Sequence, residues 1–319
     1  MDSEIRLSAR ALAIVERALA DHEALRIAET RLDGGGRLVD FGVRARGGLE
    51  AGRVLALACM ADLGRVDLAP HDPAIWDGPA VCVRTDQPVL ACMASQYAGW
   101  RISVGKFFAM GSGPMRAAAA KEPLFEKLGI GAHEPAVVGV LETSKLPGYE
   151  VFEHVASACG VSRDQVTLLV APTASLAGTF QVVARSVETA LHKLMELKFD
   201  ITAVESAWGV APLPPPAAND IAAIGRTNDA ILYGGQVTLW VRSDDEELRT
   251  IGPHVPSSAS SDHGRPFEEV FRDYGGDFYK IDPHLFSPGV VRFVNLATGR
   301  TFVFGRVMSD VLRRSFEGS

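Results

Sequence analysis

The sequence predicts an α/β fold, and three observations carry that prediction. Short β-prone apolar runs recur, at Val137–Leu141, Val166–Val170, Gln236–Val241 and Val290–Asn295. Segments with helical periodicity stand between them, and strand and helix alternate from about Ala136 to Trp208. The 319 residues are 47% hydrophobic, enough for one large or two moderate cores.

Taken in order, the first helix is expected over Leu7 to His22, with Leu12, Val15, Ala18 and Leu19 as its apolar stripe. Ser3 or Ser8 is placed to cap it. Leu25–Arg31 and Leu38–Val43 read as strands of a hairpin closed by Asp33-Gly34-Gly35-Gly36. Gly47 to Gly52 is a turn that opens a short helix or leads into a strand, and the apolar run Val54–Met60 is expected as a core strand. Asp67 to Pro79 reads as loop. Ala80–Arg84 and Val89–Ala94 are expected to pair across Thr85-Asp86-Gln87-Pro88. Arg101–Phe108 is β-like and carries Lys106, and the alanine-rich Met115–Lys121 is helical.

After strand 136–142, a helix over Glu150–Ala158 ends at Gly160. Val166–Val170 is a strand, followed by the small-residue loop Pro172–Thr179 and a further helix. Gly209–Pro216 reads as a linker or lid, and Asp220–Tyr233 as a helix interrupted near Gly225. Gln236–Val241 alternates cleanly as a strand. Asp244–Leu248 is acidic surface, and the serine-rich stretch Pro253–Pro266 reads as mobile. A short helix at Phe267–Phe271, strands Val290–Asn295 and Thr301–Gly305, and a helix over Asp310–Phe316 complete the chain.

Composition narrows the function. A net charge of -7 and the lack of any basic tract argue against a nucleic-acid surface. No segment is apolar and long enough to cross a bilayer, and the polar start Met1-Asp2-Ser3-Glu4 is not a signal peptide, so the expectation is a cytoplasmic protein. The 4 cysteines sit mostly in apolar runs and show no metal spacing. His254, His263 and His284 with Asp262 and Asp282 match no metal-site signature, so no metal is expected. There is no GxGxxG, no GxxxxGK[ST] and no GxSxG elbow.

Two stretches carry the chemistry that remains. On a helical wheel after the small-residue loop, Val183, Val187, Ala190, Leu191 and Leu194 share one face, and Arg185, Glu188 and His192 share the opposite one. That polar face is either a solvated set of ion pairs or a carboxylate general base held by an arginine. The second stretch is Gly111-Ser112-Gly113-Pro114-Met115-Arg116, where glycines let a backbone approach a ligand beside Lys106 and Arg116. A strand-to-helix turn needing glycine for its geometry explains the same residues.

The motifs together resemble one family. Ala94-Ser95-Gln96-Tyr97-Ala98-Gly99-Trp100, Ala109 to Pro114 with Arg116, Gln181 to Leu194, Asn228 to Gly235, Ile281 to Pro288 and Asn295 to Gly299 resemble methenyltetrahydromethanopterin cyclohydrolases, in the family's order and over nearly the whole chain. The resemblance implies a cyclohydrolase-type fold with two α/β domains enclosing a pterin-binding cleft. The expected domains are residues 1–95, completed by strands from 285–319, and residues 96–284 with the substrate loops. It also implies a cofactor-free homotrimer, hydrolysing a tetrahydromethanopterin-type substrate within formaldehyde oxidation in methylotrophic bacteria. Under it Glu188 and Arg185 are catalytic, and Gln96, Lys106, Ser112, Gly113, Arg116 and His192 bind or support the substrate. Another reduced pterin or cyclic amidine as substrate, or a non-catalytic pterin-binding protein, are the alternatives.

Overall fold

A computed structural model describes residues 5–131 and 133–317. The chain forms helices α1 (Leu7–Ala20) and α2 (His22–Leu25), strands β1 (Ala28–Arg31) and β2 (Arg37–Asp40), and helix α3 (Leu49–Cys59). Strands β3 (Arg65–Ala69) and β4 (Ala80–Thr85) follow, then a π-type helix over Val89–Gln96. Next come β5 (Trp100–Val104), β6 (Phe107–Ser112), α4 (Met115–Ala119), α5 (Pro123–Leu128), β7 (Val137–Glu142), α6 (Tyr149–Cys159) and β8 (Val166–Ala171). Helices α7 (Leu176–Val183) and α8 (Ser186–Glu196) lead to β9 (Val204–Pro212), α9 (Asp220–Gly234), β10 (Gln236–Val241) and α10 (Asp245–Ile251). The chain closes with α11 (Phe267–Asp273), β11 (Val290–Asn295), β12 (Thr301–Gly305) and α12 (Ser309–Glu317).

The predicted α/β class holds, as two six-stranded mixed sheets with helices. Two compact units comprise Met1–Gly64 with Leu90–Gln181, and Arg65–Val89 with Val182–Ser319. This division differs from one drawn at residue 95. β4 hydrogen-bonds onto β9 with β3 outside it, and β11 and β12 continue from β10, so the C-terminal strands build the sheet of the second unit.

In the first unit the order is β1-β2-β8-β7-β6-β5, with β2, β8 and β7 parallel. These three are buried almost throughout, as parallel strands covered on both faces must be. Residue alternation sorts the cover. Val39, Val138, Val140 and Leu169 face α1 and α3, while Leu38, Val137, Leu141 and Leu168 face α6. The hairpin across Gly34–Gly36 forms as expected.

Val54–Met60 is not a strand. Ala51, Val54, Leu55, Ala58 and Cys59 are buried at helical spacing, and Gly52 lets α3 approach Phe180, whose Cβ lies 2.7 Å from where a Cβ at 52 would stand. Ser8 is inside α1, not at its cap. The carboxylate of Glu134, far along the chain, accepts the first free N–H groups, from Ser8 (2.8 Å) and Ala9 (3.1 Å). Ser3 and the rest of the Met1–Glu4 start lie outside the described residues.

Val89–Ala94 is also not a strand. It coils as the π-type helix, closed by Tyr97 N–H donating to Cys92 O at 2.8 Å.

In the second unit the order is β12-β11-β10-β9-β4-β3. Arg65–Ala69, read as loop from Asp67 onward, is its edge strand. Gly209–Pro212, read as a linker, lies within the interior strand β9 between β4 and β10. Helix α9 runs through Gly225 without a break and is capped by the Asn219 side chain; a Cβ at 225 would stand 2.9 Å from Glu268 Cβ, so the glycine makes room for α11. Asp245, expected as acidic surface, is buried and accepts from Asn295, Thr298 and Arg300. The serine-rich stretch is packed, with Ser257 buried and donating to Leu232 O.

Candidate active site

The polar face foreseen around residue 188 exists, but on a helix that starts later than the periodicity implied. α7 ends at Val183 and Arg185 takes a non-helical φ of -89° and ψ of 9°, so α8 begins anew at Ser186. Arg185 is therefore the N-cap residue, and Glu188 lies in the first turn, where the helix dipole favours a negative charge.

Burial removes the solvated reading of this face. Arg185 is 5% exposed and Glu188 4% exposed, so neither belongs to a solvated ion-pair surface. Arg185 Nη1 stands 4.0 Å from Glu188 Oε2. A charge pair this deep is only tolerated when both groups are held by partners, and it supplies a fixed carboxylate beside a fixed cation. His192 is half-buried one turn on, its Nε2 3.9 Å from Glu196 Oε1.

The helix is seated by glycine. A Cβ at position 209 of β9 would stand 2.5 Å from Ser186 Oγ and 3.0 Å from Val187 Cγ2, so only glycine lets α8 lie this close to the strand. Lys193, which sequence reasoning passed over, is 1% exposed and donates from Nζ to His284 O at 2.6 Å. Burial lowers its pKa to about 8 against the opposing pull of Asp282. No signal in the sequence marked it, because on the helical wheel Lys193 falls beside the apolar stripe, where a lysine is ordinarily solvated.

Four of the other five foreseen residues come together in the first unit. Ser112 is fully buried, its Oγ 3.2 Å from Cys59 Sγ, and Ser95 donates from Oγ to Cys59 O at 2.6 Å. Gly113 has φ +89° and donates from its N–H to Ser95 O at 2.7 Å, which places Gln96 beside this turn. Arg116 is 1% exposed. Its Nε and Nη2 donate to Glu122 (2.8 and 2.5 Å), its Nη1 to Met93 O (2.9 Å), and its guanidinium lies over the rings of Tyr97 and Phe125. This fork is committed to protein, so what Arg116 does for a ligand it does by holding the π-type helix. Lys106 is not with them. It sits exposed at the tip of the β5–β6 hairpin, at the opposite end of β6 from Ser112.

Of the groups weighed for a metal, Asp262, Asp282 and His263 are bound into local structure, while His254 and His284 are exposed. Asp282 accepts from Ser260 Oγ (2.7 Å) and His284 N–H (3.0 Å), Asp262 from Tyr274 Oη (3.2 Å), and His263 Nδ1 lies 3.2 Å from Ser257 Oγ. Among the described residues no three His, Cys, Asp or Glu side chains group as metal ligands do.

Known proteins are similar to this chain over nearly its whole length. A family described as cyclohydrolase (MCH) matches residues 6–316. The chain is 50% identical to a methenyltetrahydromethanopterin cyclohydrolase of Rhodopirellula baltica, over 88% of this chain and 86% of that one. It is 47% identical to the protein of that name from a Methylobacterium species, over 98% of both chains. The corresponding protein of Methanosarcina barkeri is 42% identical over 95% of both.

Proposed function

The chain belongs to the cyclohydrolase (MCH) family, and on that premise we propose that it catalyses the reversible hydrolysis of methenyltetrahydromethanopterin to its formyl derivative. The observation that carries the mechanism is the buried Arg185–Glu188 pair at the start of α8. The methenyl carbon of the substrate lies between two nitrogens and shares their positive charge, so it is electrophilic without further activation. The reaction needs a water aimed at that carbon and a base for its proton. Glu188 is that base. Water adds to the carbon while Glu188 takes one of its protons and then passes it to the nitrogen whose bond to carbon breaks. As that bond breaks the adduct's hydroxyl becomes the formyl C=O and its proton leaves to solvent, so the cationic substrate and water give a neutral formyl product and one proton. The carboxylate also attracts the cationic substrate, and Arg185 orients the carboxylate and favours its ionised form.

Gln96, Ser112 and Gly113 are the proposed substrate-binding residues, and Lys106, at the far end of β6, is proposed to meet the substrate apart from that cluster. Arg116 acts through the segment it clamps, and His192 supports Glu188 from the same helix. The chemistry calls for no metal or organic cofactor. The finer setting proposed is a cytoplasmic homotrimer serving formaldehyde oxidation. The test is an absorbance assay of methenyltetrahydromethanopterin in the presence of a chelator, with the tetrahydrofolate analogue in parallel. Turnover of the methanopterin compound is expected. Turnover of the folate compound alone would reject the substrate, and binding without an absorbance change would reject catalysis.

A further inference from the structure

Lys193 is the buried charge that the mechanism above does not use. It lies on α8, the helix that carries Arg185 and Glu188, and is 1% exposed. Lysine is almost never so deeply buried without a carboxylate in contact, and among the described residues no ion pair within 4.0 Å is formed by it. Its ammonium is given to one carbonyl, His284 O, at 2.6 Å. That carbonyl belongs to the 283–285 turn, which is itself fixed. Asp282 caps the turn by accepting from His284 N–H and is held in place by Ser260 Oγ. A leucine or methionine at 193 would pack without the desolvation cost of a buried charge. What the lysine adds is a tether between α8 and a rigid turn distant in sequence.

We propose that Lys193 is a positioning residue: its ammonium, held on the His284 carbonyl, sets α8 against the 283–285 turn and keeps the Arg185–Glu188 pair in its working geometry. The inference rests on the reading of Glu188 as the base. The tether is sensitive to pH. Of the charged groups on the elements around it, Asp282 and His284 lie on the turn, His192 and Glu196 on α8, Arg84 on β4 and Glu205 on β9. Only Asp282 acts appreciably on Lys193. Burial brings the lysine to about 8, so the cationic tether is complete below that pH. Above it the neutral amine keeps a donor but loses its attraction to Asp282.

The experiment measures kcat, KM and melting temperature of Lys193→Met and Lys193→Arg from pH 6 to pH 10, with Glu188→Gln in parallel. In the parent protein kcat should fall above about pH 8. Lys193→Met should lower kcat about tenfold to a hundredfold, the scale of a small misplacement of reacting groups, with KM changed far less. It should also lose the alkaline fall. Lys193→Arg keeps its charge at every pH tested and should show turnover without that fall. A lysine that only stabilised the fold would lower the melting temperature and leave the alkaline fall where it was. Parent-like kcat in Lys193→Met, or an unchanged alkaline fall in either variant, overturns the proposal. Loss of turnover in Glu188→Gln alongside a normal Lys193→Met would overturn the tether alone. Normal turnover in Glu188→Gln would overturn the reading of the base, and the tether with it.

Discussion

At the scale of single residues, burial turns ordinary side chains into chemical ones. Glu188 and Arg185 form an i, i+3 pair that would contribute little on a wet helix. At 4% and 5% exposure they are a preset carboxylate and its counter-charge. Glu188→Gln nearly keeps the shape and removes the charge, so turnover should drop about a hundredfold to ten-thousandfold with substrate still bound. Stopped-flow absorbance and equilibrium binding check this, and near-normal turnover would sink the assignment. Arg185→Lys retains the charge but not the planar fork, and an intermediate rate is expected if orientation matters more than charge. Asp229 shows a different consequence of burial. It accepts from Phe267 N–H at 2.8 Å, and burial pushes its carboxyl up to about 8 despite the Ser315 hydroxyl and that N–H, with Glu268 and Glu269 adding to the rise. The folded chain therefore holds a proton that the unfolded chain releases near pH 4. Stability from this group is full below about pH 4, falls as pH rises towards 8, and is gone above it. Asp229→Asn removes that slope. Its stability relative to the parent should grow by roughly 3–4 kcal/mol between pH 5 and pH 8, read from urea midpoints.

At the scale of elements, the site depends on how closely helices approach their sheet. Gly209 is the clearest case, since a methyl there would meet Ser186 Oγ at 2.5 Å, one residue from Arg185. Gly209→Ala should cost about 1–3 kcal/mol of stability through overpacking and should also lower turnover as α8 is pushed off β9. Urea unfolding and kcat, measured on the same preparation, check both. A stability loss with unchanged kcat would show that the active geometry tolerates the shift. Arg116 plays the matching part in the first unit, where it joins the carbonyl of Met93 to Glu122 and so fixes the coil that carries Gln96.

At the scale of the whole molecule, the chain passes between its two units three times. Residues 65–89 supply β3 and β4, without which β9 would present an unpaired hydrophobic edge. A fragment starting at residue 182 should therefore aggregate or remain unfolded, as light scattering and circular dichroism would report. Soluble, β-rich material would contradict the dependence of the sheet on β4. The proposed homotrimer predicts three times the chain mass in sedimentation at low protein concentration. A monomer with full activity would reject it.

The sequence by itself determined the α/β class, most of the strands, and the pairing of Arg185 with Glu188. These are local matters: period-2 and period-3.6 patterns, glycine turns, and residues three apart on one helix. It misplaced Val54–Met60 and Val89–Ala94, because an apolar run of alanine, leucine and cysteine has no period that separates a buried strand from a buried helix. It read Gly209–Pro212 as linker, because the purpose of Gly209 lies in a helix that packs on it from elsewhere in the chain. Only the tertiary structure decided that Arg185 and Glu188 are dry, that Lys193 reaches a turn ninety-one residues away, and that Glu134 caps α1. Burial and long-range partnership are properties of neighbours brought together by folding, and a chain read residue by residue contains the groups but not their surroundings.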